Sequence, residues 1–97
     1  MIAENEIPSY VEKCIESGLN YLNQSMLKEA VYHLRSAEVL IDKYMVEDGR
    51  ISTELMLGVV MNLGICFYKA SLFDEAYSCF ENCDLRIKGE CTEGSEE

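Results

Sequence analysis

The sequence predicts an all-α fold, and three observations support this prediction. The only proline, Pro8, precedes the first periodic segment, so no proline interrupts a helix between Ser9 and Lys88. Apolar residues in that span recur at intervals of three and four, which is the spacing of one face of a helix. The 97 residues, 48% apolar and 27% charged, suit one small globular domain of marginal stability. We therefore expect helices joined by short turns.

The first half predicts two helices after a lead-in of residues 1–8. Ser9 and Glu12 have the spacing of a capping box, in which the hydroxyl and the carboxylate each accept a backbone N–H at the start of a helix. The tight turn at 23–25 separates this helix from the next, and Ser25 is its expected N-cap. The first helix pair is predicted to span 9–46.

The second half predicts another helix pair, spanning 51–88. The third segment is apolar almost all round, which indicates a helix that is buried on most of its surface. Ser71 and Asp74 give a second capping pattern before the fourth helix, and Gly89 is expected to follow its last turn. Residues 89–97 contain four glutamates and are expected to form an acidic, solvated tail.

The two halves repeat at an interval of 46 residues, so that the turn SMLKEAV matches SLFDEAY. Small and large side chains fall at matching positions. Small residues allow the two helices of a pair to approach closely, while large residues fill the gaps between pairs. The paired positions are Gly18 and Gly64, Tyr21 and Phe67, Ala30 and Ala76, Leu34 and Phe80, and Ala37 and Cys83.

This pattern resembles the tetratricopeptide repeat over residues 11–88. The resemblance implies two antiparallel helix pairs, stacked as a short right-handed solenoid. The repeat is longer than the usual length of about 34 residues. In that respect it is similar to the repeats of kinesin light chains and of the Leu-Gly-Asn-rich spindle-orientation adaptors. Asp42 and Lys88 replace the proline that usually ends the second helix of a pair.

The resemblance also implies a peptide-binding groove formed by the first helix of each pair. Ile15 and Leu19 stand where chaperone-binding members carry a clamp of lysine and asparagine, so we do not expect a chaperone tail as the ligand. An apolar groove with one amide suits a hydrophobic or helical ligand. The same row is compatible with self-association or core packing, and the Asn62 amide with a bond to nearby backbone. The expected groove residues are Ile15, Leu19, Leu22, Met61, Asn62, Ile65, Tyr68 and Lys69.

Charge argues against a role in nucleic-acid binding. The chain carries 18 acidic and 8 basic residues, a net charge of −10, and its basic residues are scattered. No apolar run is long enough to span a bilayer, and the N-terminus lacks the pattern of a signal peptide. We therefore expect a cytoplasmic protein without membrane insertion.

The reactive side chains do not predict an enzyme. His33 has no spacing to Ser, Cys or Asp that suggests a triad, and it is expected on the solvated surface. The glycines are isolated, so no phosphate loop is present, and we expect no cofactor and no small-molecule substrate. Cys66, Cys79 and Cys83 form no CxxC motif, which favours buried thiols over a metal site. Cys91, in the tail, is the thiol expected to be exposed.

These observations predict an adaptor that binds a peptide or a helix of a larger assembly. Repeat stacks generally need about three units to seal their ends. With two pairs, the third segment and the fourth helix are expected to leave apolar surface that a partner covers. A homodimer is the main alternative, and a switch that responds to metal or thiol oxidation is a weaker one.

Overall fold

Four helices, separated by two tight turns and one joint, make up the computed structural model, which describes residues 6–45 and 49–89. No strand occurs in these ranges. The all-α class and the arrangement in two helix pairs are therefore confirmed. The helices are α1 (Ile7–Asn23), α2 (Leu27–Tyr44), α3 (Gly49–Lys69) and α4 (Phe73–Gly89).

The start of α1 differs from the sequence prediction. The helix begins at Ile7, so Pro8 lies in its first turn and Ser9 lies inside the helix. Proline is tolerated there because the first N–H groups of a helix have no partners within the helix. The capping box of Ser9 and Glu12 is therefore wrong, and Glu6, which precedes α1, makes no side-chain cap bond.

The other helix ends lie close to the predicted ones. α2 ends at Tyr44 and is followed by the buried Met45, while residues 46–48 lie outside the described ranges. α3 begins at Gly49, two residues before the expected start. α4 includes Gly89, which was expected to follow the helix. The predicted tail after this residue, with Cys91, also lies outside the described ranges.

The turn between α1 and α2 is a Schellman motif. Ser25 has a left-handed backbone with φ of 62°. Its N–H donates to the carbonyl of Leu22 at 2.9 Å, and the N–H of Met26 donates to the carbonyl of Tyr21 at 2.9 Å. These two bonds satisfy carbonyls at the end of α1. Ser25 therefore ends α1 and does not cap α2, whose N-cap is Met26 without a side-chain bond.

The turn between α3 and α4 repeats this geometry 46 residues later. Ser71 has φ of 65°, its N–H donates to the carbonyl of Tyr68 at 3.0 Å, and the N–H of Leu72 donates to the carbonyl of Phe67 at 2.8 Å. The N-capping role expected for Ser71 is also wrong, because this residue ends α3. The internal repeat seen in the sequence is thus a repeat of backbone hydrogen bonds.

The helices form an open row and not a closed bundle. α1 packs closely on α2, α2 on α3, and α3 on α4, whereas α1 touches α3 only slightly. Among the described residues, α4 packs substantially only on α3. The Cα atoms accordingly span 43 × 36 × 16 Å, a thin slab. α2 and α3 therefore have a helix on each side, while α1 and α4 are the ends of the row.

The third segment is buried as the sequence predicts. α3 places Met56, Val59, Val60, Leu63 and Cys66 in the core, each at most 4% exposed. A helix between two neighbours buries more than one face, which explains its lack of a polar side. None of the helices described is long and apolar enough to cross a lipid bilayer.

Candidate functional site

Two glycines set the close approach of the helices within each pair. A Cβ built on Gly18 would lie 2.8 Å from Cγ of Leu34, and one on Gly64 would lie 2.7 Å from Cε1 of Phe80. Both distances are shorter than van der Waals contact, so the facing large residue occupies the space that a side chain would need. Each contact joins α1 to α2 or α3 to α4 at equivalent positions of the repeat.

The remaining residues that were expected to pack the repeat are mostly inside. Among the large ones, Leu34 is fully buried, Phe80 is 39% exposed, and Tyr21 and Phe67 are half-buried against the core. Phe80 is the one residue of this set that is exposed. Its counterpart Leu34 on α2 is covered, whereas Phe80 on α4 is not. The small residues at the other positions are all buried: Ala30, Ala37, Ala76 and Cys83.

The expected groove residues differ in their exposure. Ile15 and Leu22 are half-buried and pack against the core, and Leu19 is also half-buried. Met61 is exposed. The Asn62 side-chain N–H donates to the carbonyl of Gly58 at 2.8 Å, one turn earlier in α3. The amide that was expected to face a ligand thus bonds the backbone of its own helix, which is the alternative that the sequence left open.

Three of the expected residues do lie together, in an open groove of about 620 Å³ on the outer side of the second pair. The rings of Tyr68 and Phe73 meet edge to face, with centroids 5.4 Å apart. Lys69 places the groove's one basic side chain beside these rings. The sequence did not predict that the turn and α4 complete the lining, which consists of Ile65, Tyr68, Lys69, Ser71, Phe73 and Phe80.

The groove continues along α4 as a row of exposed apolar side chains. We call this row the α4 stripe. Its spacing of four, three and seven residues places the row on one side of the helix. The fourth helix therefore leaves apolar surface open, as the sequence predicts, and the third segment does so at Met61 and Tyr68. The α4 stripe consists of Phe73, Tyr77, Phe80 and Ile87, which are 57%, 67%, 39% and 61% exposed.

The same positions on α2 are covered. Leu34 and Ile41, which correspond to Phe80 and Ile87, are 0% and 2% exposed. Leu27 and Val31, which correspond to the other two positions of the α4 stripe, are half-buried. α2 has α3 beside it, and α4 has no equivalent neighbour among the described residues. The exposure of the α4 stripe thus follows from its position at the end of the row.

His33 lies half-buried between two aromatic rings. Its ring stacks on Tyr21 of α1, with centroids 5.3 Å apart and an interplanar angle of 10°. Tyr32 meets the same ring edge-on at 5.2 Å. The histidine thus helps to join α1 to α2 while part of its side chain stays accessible to solvent.

The described thiols are free, and most are buried. Burial raises the pKa of the three buried thiols, which are those of Cys14, Cys66 and Cys83. Burial also raises the pKa of the half-buried Cys79, against the opposing charge of Arg35. Within 6–45 and 49–89, no three Cys, His, Asp or Glu side chains are arranged to hold a metal ion. These thiols are therefore poor nucleophiles at neutral pH.

Comparison with known proteins gives no relative: no family model matches the chain, and neither a curated protein nor a solved structure matches it.

Proposed function

We propose that this chain is a protein-interaction module that holds an apolar segment of another protein in the groove at the outer side of α3 and α4. One observation carries the proposal. The α4 stripe exposes aromatic and aliphatic side chains at positions whose counterparts on α2, which has α3 beside it, are buried or half-buried. Contiguous apolar surface of this kind is typical of interaction sites.

The tetratricopeptide resemblance supports the same proposal. The 46-residue repeat and the close contacts of Gly18 and Gly64 are features that such a repeat would require. Members of that family bind peptides or helices, and we propose the same class of partner here, in a cytoplasmic adaptor whose pairs stack as a right-handed solenoid. The proposed site includes Ile65, Tyr68 and Lys69 of the expected groove, together with Phe73 and Phe80.

Capture from extracts of the cells that produce the protein tests the proposal. The variant is Tyr68→Glu in the groove, and the matched control is Tyr32→Glu on α2. Both tyrosines are well exposed, at 61% and 68%, and each makes one edge-to-face ring contact, so the two variants disturb the fold to a similar extent.

We expect a protein that the wild type and Tyr32→Glu retain and that Tyr68→Glu loses. Its addition should also raise the melting temperature of the wild type, because a ligand of the folded state stabilises that state. Equal capture by all three proteins would contradict a site in this groove.

Self-association is the second candidate, and the α4 stripe favours it, since two copies can cover each other's apolar surface. Sedimentation equilibrium of the purified chain distinguishes the two. A monomer at all concentrations supports the adaptor, and a dimer that Ile87→Glu dissociates supports self-association.

A further inference from the structure

We propose that the occupant of the groove is an amphipathic α-helix of a second protein, which packs along α4 as α3 packs along α2, with a basic side chain opposite Glu81. This inference rests on the proposed function and specifies the partner's chemistry. It is supported by the internal repeat, by the polar outer face of α1 and by the charges beside the α4 stripe.

The internal repeat indicates what kind of surface would cover the α4 stripe, because the equivalent residues of α2 already have a neighbouring helix. On α2 the covering element is α3, a helix that buries apolar side chains at spacings of three and four. Isoleucine occupies equivalent positions on the two helices, but Ile41 on α2 is 2% exposed and Ile87 on α4 is 61% exposed. A helix with the apolar spacing of α3 would give Ile87 the environment that Ile41 already has. The spacing to be matched is that of Met56, Val59, Val60 and Leu63.

A second copy of this chain cannot supply that helix in the same way. The helix equivalent to α3 is α1, and its residues at the positions of Met56, Val59 and Leu63 are Tyr10, Lys13 and Ser17. Val59 is fully buried, so the ammonium group of Lys13 would have to be buried at the centre of an apolar contact. Burying an unpaired charge is strongly unfavourable. The row of helices is therefore polar at the α1 end and apolar at the α4 end.

Residues 90–97, which follow α4 in the sequence, do not have the apolar spacing of α3. Residues 90–97 (ECTEGSEE) contain no aromatic and no large aliphatic side chain. Four of the eight are glutamates, which is not the composition of an apolar helix face.

Charge specifies one position of the partner. Beside the buried row of α2, Arg35 pairs with Glu38 at 3.1 Å and also lies over the Phe67 ring of α3, 5.7 Å from its centroid. The equivalent residues on α4 are Glu81 and Asp84, so the neutral pair has become two carboxylates. Asp84 pairs with Lys88 at 3.2 Å.

A partner helix placed like α3 would bring its residue at the Phe67 position against Glu81. A basic residue at that position complements the carboxylate. The net charge of −10 acts in the same direction, because it attracts a basic helix and repels a second copy of the chain.

The test uses a synthetic probe built from α3 itself. The peptide has the sequence of residues 49–69 with arginine at the position of Phe67, and it carries a fluorescent label. A second peptide carries glutamate at that position. Fluorescence anisotropy measures the binding of each to the wild-type chain. We expect the arginine peptide to bind more tightly, roughly tenfold or more, because the glutamate places like charges together.

Two substitutions on one helix locate the contact. Ile87→Glu changes the α4 stripe, and Leu85→Glu is its matched control, since both residues are 61% exposed on α4 but lie on opposite sides of it. We expect Ile87→Glu to weaken the arginine peptide roughly tenfold or more, because it buries a carboxylate in an apolar contact. Leu85→Glu should leave the affinity unchanged. Glu81→Arg should reverse the preference between the two peptides.

The following outcomes would overturn the inference. Equal weakening by Ile87→Glu and Leu85→Glu would mean that the peptide does not bind along the stripe. If neither peptide binds at concentrations of about 100 μM, packing of a partner helix along α4 would be contradicted, because a dissociation constant above that value describes a very weak complex. If capture still depends on Tyr68, the proposed function survives and only the helical partner is rejected. A dimer dissociated by Ile87→Glu would instead assign the stripe to a second copy.

Discussion

Replacing each described interior helical glycine with alanine tests how closely the helices of a pair pack. Alanine is favoured over glycine inside a helix by about 0.8–1 kcal/mol. A Cβ on Gly58 meets no atom within 4 Å, so Gly58→Ala should show that whole gain. A Cβ on Gly18 lies 2.8 Å and 2.9 Å from two carbons of Leu34, which is 0% exposed and has no free space to move into.

Overpacking of this kind costs about 1–3 kcal/mol. After the gain in helix propensity is subtracted from this overpacking cost, Gly18→Ala should be destabilising by up to about 2 kcal/mol. Gly64→Ala should fall between the other two. Its Cβ would lie 2.7 Å from Phe80, but that ring is 39% exposed and can turn outwards.

Urea unfolding, followed by circular dichroism at the helical band, measures the three variants against the wild type. In a domain of this size, about 1 kcal/mol corresponds to about 4–8 °C in melting temperature, so the order can also be read from thermal melts. The expected order of stability is Gly58→Ala, then Gly64→Ala, then Gly18→Ala. If Gly18→Ala were as stable as Gly58→Ala, the close contact of α1 with α2 would be refuted.

Three further predictions concern the turns, the end of the row and the thiols. Ser25→Gly and Ser71→Gly should each raise the free energy of unfolding by about 0.5–1 kcal/mol, because glycine adopts a positive φ without a Cβ clash. A loss of stability in urea unfolding would contradict the left-handed backbone of these two residues. In the free chain, Ile41→Ala should lower the free energy of unfolding by about 2–4 kcal/mol and Ile87→Ala by well under about 1 kcal/mol, since only Ile41 is buried. Equal losses of stability would mean that α4 is covered. Because burial raises the pKa of the three buried thiols, the unfolded state loses thiol protons first, so stability should fall as the pH rises above about 8.5. Unfolding at pH 8 and pH 9.5 measures this fall, which should be smaller in Cys66→Ala; equal falls would contradict the contribution of this thiol.

Much of the fold follows from the sequence because two independent signals agree. Helical spacing gives four helices, and the 46-residue repeat pairs them. The helix ends were less predictable, because short polar residues suit more than one role. Ser25 and Ser71 have the chemistry of an N-cap, yet both end the preceding helix with a left-handed backbone. Pro8 looked like a boundary, although the first turn of a helix accepts it.

The candidate site was predictable only in part. Ile65, Tyr68 and Lys69 were expected in a groove, and the structure places them in one. Phe73 and Phe80 were missed as lining residues because the expected groove was formed by the first helix of each pair, whereas both residues lie on α4. The spacing of the α4 stripe is visible in the sequence, but spacing does not distinguish a buried row from an exposed one. That difference depends on whether a neighbouring helix is present.

We propose that the open end of the helix row, along α4, holds a helix of another protein. An NMR titration of the isotope-labelled chain with the arginine peptide tests it most directly, because each backbone amide reports its own surroundings. We expect the largest shifts in the α4 stripe and at Tyr68, while Tyr10 and Lys13 on the outer face of α1 stay unchanged. Shifts centred instead on Ile15 and Met61 would place the ligand on the first helices of the pairs and contradict binding along α4.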